Sequence, residues 1–236
     1  MVLANGMAEG DVIKEGTAAA KEFCEALQFV CESLAKALIK DGEGSERIIE
    51  VLVEGAVDNK DKTFSNFVKG KSKFHYSNKI GNKKKKIFYS DLTKKLEITS
   101  KKYNNVLFFN ILEHLPEYKL VFSEIYRIIK KGGNFIGSVP FIYQIHAAPN
   151  DYFRFSKQFF ELNLKKYKFK QIKVKALGFG PVIASYSLLW PYLKYLPLLS
   201  QICLLLAYIL DSLIQVFVKT DLKEIFPLGY FFIAKK

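Results

Sequence analysis

Six polar residues between positions 113 and 154 of this 236-residue chain have types and spacing suited to chemistry. Glu113 and His114 are adjacent, and His146, Asp151, Tyr152 and Arg154 follow close together. An imidazole near a carboxylate can move a proton, which makes His146 and Asp151 the candidates for that work. Glu113, His114, Tyr152 and Arg154 are candidates for holding a substrate. Each also has a plainer use. Asp151 and Arg154 can pair and pin their loop, a role compatible with substrate contact. His114 can bond a nearby loop or helix end, and Glu113 can sit near a helix N-terminus, where negative charge is favoured. Cys24, Cys31 and Cys203 show no metal-ligand spacing, so no metal site is expected, and the first two lie two turns apart on an apolar helical stripe.

The elements that must position these residues follow from apolar periodicity. Val106 to Leu112 is an apolar run of the kind buried on both faces of a sheet. Pro116 opens a helix with Leu120, Val121, Ile125, Ile128 and Ile129 inward and Gly132-Gly133 at its end. Phe135 to Val139 is the next strand, and Ser156 caps a helix carrying Phe159, Phe160, Leu162 and Leu164. Ile172 to Ala176 and Tyr230 to Ala234 read as further strands, and Ile87 to Tyr89 as a short one. Strands alternating with helices imply a mostly parallel sheet covered on both faces, with ligands beyond its carboxyl edge. The polar pairs lie there, each just after a strand.

Charge divides the chain. Residues 1–63 carry 7 Lys and Arg against 13 Asp and Glu, a net of −6, which leaves 29 against 10, a net of +19, for residues 64–236. Arg127 and Arg154 are the only arginines of the second piece, so the bidentate fork that reads phosphates and bases is scarce and nucleic-acid binding is unsupported. The first piece reads as a helix from Glu22 to Lys40, a stop at Asp41-Gly42-Glu43-Gly44, and a strand alternating through Ile49, Val51 and Val53 to Gly55. Residues 64–84, with the run Lys83–Lys86, read as a solvated linker or a strand remnant. No signal pattern opens the chain, and a cytoplasmic location is expected, with the inner membrane surface as an alternative.

Two resemblances follow from these residues. Leu3 to Ala8, Glu25-Ala26-Leu27, Val30-Cys31, Leu34-Ala35-Lys36, Asp41 to Gly44 and Ile49-Glu50-Val51 resemble an internal stretch of the ornithine acetyltransferase of arginine biosynthesis. That family uses a self-generated N-terminal threonine as nucleophile, and the segments carrying it are absent. Only Glu43 matches a substrate-holding position. Leu112 to Pro116, Glu124 to Gly133, Val139-Pro140-Phe141, then His146, Pro149, Asp151-Tyr152 and Arg154-Phe155-Ser156 resemble class I S-adenosylmethionine-dependent methyltransferases over residues 85–236, most closely a branch acting on small molecules or glycans. The resemblance implies methyl transfer, with Asp91 near the adenine, Asn110 and Ile111 along the cofactor's edge, and His146 or Asp151 taking a proton from the acceptor. No glycine-rich turn after a first strand and no ribose-binding acid precede Asp91, so S-adenosylmethionine is expected to bind weakly or not at all.

The expected architecture is α/β: an incomplete Rossmann-like class I methyltransferase sandwich lacking its first strands, with a foreign N-terminal α/β segment in their place. The two pieces are expected not to share one continuous core. Residues 196–218, with a helix expected over 198–218, form the most apolar stretch, broken by Asp211 and by a polar stripe of Gln201, Tyr208, Ser212, Gln215 and Lys219. They read as an amphipathic helix, with Asp211 and Gln215 toward solvent, that packs on the body or makes peripheral contact with a membrane.

Overall fold

The computed structural model describes residues 91–145 and 150–236 fully, and the strands formed by residues 49–54, 72–78 and 87–89. In chain order these strands are β1 (Ile49–Glu54), β2 (Ser72–Asn78) and β3 (Ile87–Tyr89). They are followed by β4 (Tyr103–Phe109), a 3₁₀ turn (Leu112–His114), α1 (Tyr118–Ile128), β5 (Ile129–Pro140) and α2 (Lys157–Lys166). The chain ends with β6 (Lys170–Leu177), α3 (Pro181–Leu193), α4 (Pro197–Phe217), the short α5 (Leu222–Ile225) and β7 (Gly229–Lys235).

The seven strands form one sheet in the order β3-β2-β1-β4-β5-β7-β6. The pairs from β3 through β5 are parallel, and β7 runs antiparallel to both β5 and β6. The α/β class and Rossmann-like order therefore stand, but the places expected to lack strands are filled. The foreign segment supplies β1, which pairs with β4 through Val51–Asn105, Leu52–Val106 and Val53–Leu107. The two pieces share one sheet, contrary to the expectation of separate cores. Residues 64–84, expected to be a solvated linker or a strand remnant, contain the strand β2. The Glu22–Lys40 helix lies outside the described residues.

Phe108, Phe122, Phe135, Phe160 and Phe232 are fully buried and make the aromatic centre of the core between the sheet, α1 and α2. Phe135 meets Phe108 edge-on at 5.5 Å and Phe232 at 5.0 Å, while Phe160 stacks on Phe232 at 4.6 Å. Such pairs each add about 0.5–1.5 kcal/mol beyond area burial. Gly137 is required here, since a Cβ would lie 2.2 Å from the Phe108 carbonyl oxygen. Leu107 and Ile136, pointing to the opposite face, are also fully buried, as expected of central parallel strands.

Two boundaries differ from the periodicity reading. β5 begins at Ile129, inside the expected helix, because Ile129 is extended and pairs with Tyr103. Gly132 and Gly133 thus belong to the strand. The register shifts between Tyr103 and Asn105, Gly132 takes φ +82°, and a Cβ on Gly133 would lie 2.2 Å from the Asn104 carbonyl oxygen. Ser156 caps α2 as expected, its hydroxyl accepting from the Phe159 amide at 3.3 Å.

Candidate functional site

From β1 the chain steps outward to β2 and β3, and from β4 outward in the other direction to β5. The order reverses between β1 and β4, which is where an open α/β sheet leaves a crevice at its carboxyl edge. Asn110 and Ile111 follow β4 at that edge, and Asp91 follows β3.

Asn110 adopts φ +52°, a conformation asparagine tolerates better than most residues. Its amide donates to the Ser138 carbonyl at 2.9 Å, and its side-chain oxygen accepts from the Ser138 hydroxyl at 3.1 Å. It thereby ties the tips of β4 and β5 together. Ile111 is half-buried, and its carbonyl accepts from the His114 amide at 3.0 Å, closing the 3₁₀ turn. Asp91 accepts from the Thr93 amide at 3.0 Å and hydroxyl at 2.7 Å through one oxygen, with Lys94 3.9 Å from the other. The loop after Asp91 is held from α1. Glu124 accepts from the Leu96 amide at 2.9 Å, while Arg127 donates to the Leu96 and Ile98 carbonyls at 3.0 and 2.6 Å and to Glu124 at 2.6 Å. The Arg127 hydrogen bond keeps the Glu124 carboxyl below its ordinary range.

The β4 and β5 loops meet over the 3₁₀ turn. The Tyr152 amide donates to the Glu113 carbonyl at 2.8 Å, and His114 Nδ1 lies 2.6 Å from the Asn150 carbonyl oxygen. A carbonyl only accepts, so Nδ1 carries a proton. His114 Nε2 stands 3.8 Å from Glu113 Oε1. The Glu113 side chain has no exposed area, and burial pushes its carboxyl up from 4.5 to about 7, with Asp151 adding to the rise and Arg154 opposing it. Arg154 grips both oxygens of Asp151, at 2.5 and 2.7 Å, and donates to the carbonyls of Phe153 and Gln144 at 2.9 and 3.1 Å. Asp151 is 1% exposed, so the pair pins the loop.

The structure therefore brings Glu113, His114, Asp151, Tyr152 and Arg154 into one cluster, with Tyr152, 47% exposed, presenting the most surface. His146 lies outside the described residues. Periodicity missed Ser138, Asn150 and the Glu124–Arg127 clamp. The first two act through a small hydroxyl and a backbone carbonyl, which carry no spacing signal, whereas the clamp was visible as an i, i+3 charge pair.

Residues 1–68 match the ArgJ family model. The segment is 46% identical over 61 residues to the arginine biosynthesis bifunctional protein ArgJ of Listeria monocytogenes, covering 26% of this chain and 15% of that protein. The chain thus spans about one-seventh of the length of the curated relatives it matches. Among solved structures, a SAM-dependent methyltransferase from Archaeoglobus fulgidus superposes with a TM-score of 0.55 at 13% identity, over 90% of this chain and 94% of that one. Phosphoethanolamine N-methyltransferase 2 from Haemonchus contortus, in complex with S-adenosyl-L-methionine, gives 0.50 at 16% identity, over 86% and 52%. The fold is that of the S-adenosylmethionine-dependent methyltransferases. An ArgJ-like segment forms its N-terminal part.

The donor set fits the cofactor poorly. β1 leads into Gly55-Ala56-Val57-Asp58, one glycine where a close approach to a cofactor needs several, and β2 ends at Asn78 with no Asp or Glu before Asp91. Among the cofactor-side candidates, Asp91 already spends one oxygen on Thr93.

Proposed function

We propose that this chain carries the acceptor side of a methyl-transfer site for a small or glycan-type molecule, on a sheet whose cofactor side has lost its binding residues. The observation carrying this reading is the contrast between the two sides of the carboxyl edge. The β4 and β5 loops form a mutually bonded cluster, while β1 ends on Glu54 followed by a single glycine, Gly55, and β2 ends at Asn78 with no acid before Asp91. S-adenosylmethionine supplies an activated methyl group in such folds. Within the acceptor side, Tyr152 offers its ring to the ligand, and His114 ties the 3₁₀ turn to the β5 loop through Asn150. The Asp151–Arg154 pair and the Glu113 carboxyl shape the loop beneath.

Calorimetric titration with S-adenosylmethionine and with its demethylated product tests the proposal. A carboxylate on the ribose and amides on the amino-acid end each contribute roughly 1.5–3 kcal/mol. Losing about 4 kcal/mol moves a micromolar site to the millimolar range. A dissociation constant near or above about 1 mM is expected. A low micromolar value would overturn the reading, because the ArgJ-like segment would then have rebuilt the cofactor half.

A further inference from the structure

The insertion between β6 and β7 is a helical hairpin whose exterior is inverted relative to an ordinary soluble helix pair. On α4, Leu198, Leu199, Ile202, Leu205, Leu206, Ile209, Leu210, Leu213, Ile214, Val216 and Phe217 are all exposed, Phe217 by 87%. At 100° per residue these positions sweep about half the helix circumference. Gln201 is the one exposed polar side chain along that helix. α3 adds exposed Leu188, Leu189 and Tyr192. An apolar surface of this extent, without interspersed charge, is far from what a soluble monomer presents.

Most polar side chains of the hairpin find their partners within it. Asp211, the only charged residue between Tyr195 and Val218, is fully buried, and its oxygens accept from the Val182 and Ile183 amides at 3.0 and 2.8 Å. It caps the N-terminus of α3 from the neighbouring helix, so the expectation that it faces solvent is corrected. Gly180 makes room for it, as a Cβ there would lie 2.5 Å from the Asp211 carboxyl carbon. Tyr186 and Ser200 bond each other at 2.7 Å, and the hydroxyls of Ser185, Ser187 and Ser212 donate to carbonyls of their own helices. Such internal satisfaction is what a hydrocarbon surrounding demands and water does not.

We propose that the α3–α4 hairpin is a monotopic membrane anchor that lies in the surface of an anionic bilayer. Topology excludes a simple crossing by the pair. The chain leaves at Leu177 and returns at Gly229, which are partners in adjacent antiparallel strands. Thirteen residues of α3 reach about 20 Å at 1.5 Å per residue, short of the roughly 30 Å hydrocarbon core. The 21 residues of α4, about 31 Å, lie along the membrane plane instead, with both ends at the headgroups. Exposed Lys194 stands at one end beside Trp190, Tyr192 and Tyr195, and exposed Lys219 at the other, the residue types that prefer the interface. The net charge of +19 over residues 64–236 supplies the attraction to anionic lipid.

Flotation of the full chain with phosphatidylcholine–phosphatidylglycerol vesicles tests the anchor, with pure phosphatidylcholine vesicles alongside. Most of the protein is expected to float with the anionic vesicles and several-fold less with the neutral ones. Trp190, the single tryptophan, should shift to shorter emission wavelength and be quenched by brominated acyl chains. The double variant Leu206→Asp, Leu213→Asp should float at least tenfold less. A Lys194→Glu, Lys219→Glu variant, which leaves the apolar face intact, should show a smaller preference for anionic vesicles. Sedimentation away from vesicles with an unshifted Trp190 would overturn the proposal. So would a stable dimer by light scattering that the Leu206→Asp, Leu213→Asp change converts to monomer, because a second copy would then be the occupant.

Discussion

Glu113 lies in the sequence beside a histidine and reads as a substrate contact, yet in the fold it is a buried acid beneath the loop that His114, Asp151 and Arg154 shape. Its carboxyl is raised to about 7, with burial the largest cause. Between pH 4.5 and about 7 the folded protein holds a proton there that the unfolded chain has released. Stability therefore falls as pH rises through that window and levels off above it. At about 1.4 kcal/mol per pH unit, the penalty reaches about 3 kcal/mol by pH 8. Glu113→Gln should remove it, leaving the variant about 3 kcal/mol more stable than the parent at pH 8 and less than about 1 kcal/mol more stable at pH 5. Urea unfolding at both pH values checks this, and an equal effect at both would refute the buried-acid account. The types and order of the site residues were legible in the sequence, because loops after parallel strands converge on one edge. Their exposure was not: Tyr152 projects while Glu113, in the neighbouring loop, is sealed, and no local pattern distinguishes those outcomes.

Among the elements, α2 was legible from its cap and α4 from its length, while the partner of Asp211 was not. The stripe through Gln201, Tyr208, Ser212 and Gln215 read as a solvent face because a polar stripe on an apolar helix usually is one. Here Gln215 instead bonds the Val218 and Thr220 carbonyls and the Leu222 amide at 2.9, 3.2 and 2.8 Å, closing the end of α4. Asp211 turns to the α3 N-terminus, 28 and 29 residues earlier in sequence, a partner visible only once the hairpin is folded. Asp211→Ala strands two amides and removes a cap, which should lower stability by about 2 kcal/mol. Gly180→Ala should cause a loss of the same order by pushing the carboxylate away. The two changes combined should fall well short of additive, since both remove one interaction. Denaturant titration of the four proteins measures this, and full additivity would show that the glycine and the aspartate act separately.

At the scale of the whole molecule, the change in charge and family resemblance near residue 64 was legible, but the way the pieces join was not. The run Ile49–Glu54 is mostly apolar, with Glu50 and Glu54 as its polar members, and its backbone donors and acceptors pair with any open parallel neighbour regardless of origin. In this sheet that neighbour is β4 on one side and β2 on the other, so an ArgJ-like strand occupies an interior position of a methyltransferase fold. Removing it has consequences that a detachable N-terminal domain would not have. A chain beginning at residue 64 would expose an edge on β4, including Val106, Leu107 and Phe108, all fully buried in the intact protein. Unpaired apolar edges of that kind drive association between molecules. The shortened chain is therefore expected to aggregate on refolding and to lose cooperative thermal unfolding. The control is a full-length variant with Val51 and Val53 changed to proline, because proline removes ladder hydrogen bonds while keeping the segment attached. It should fail in the same way. A soluble, monomeric 64–236 fragment that unfolds cooperatively would show that the ArgJ-like strand is an accessory to the sheet.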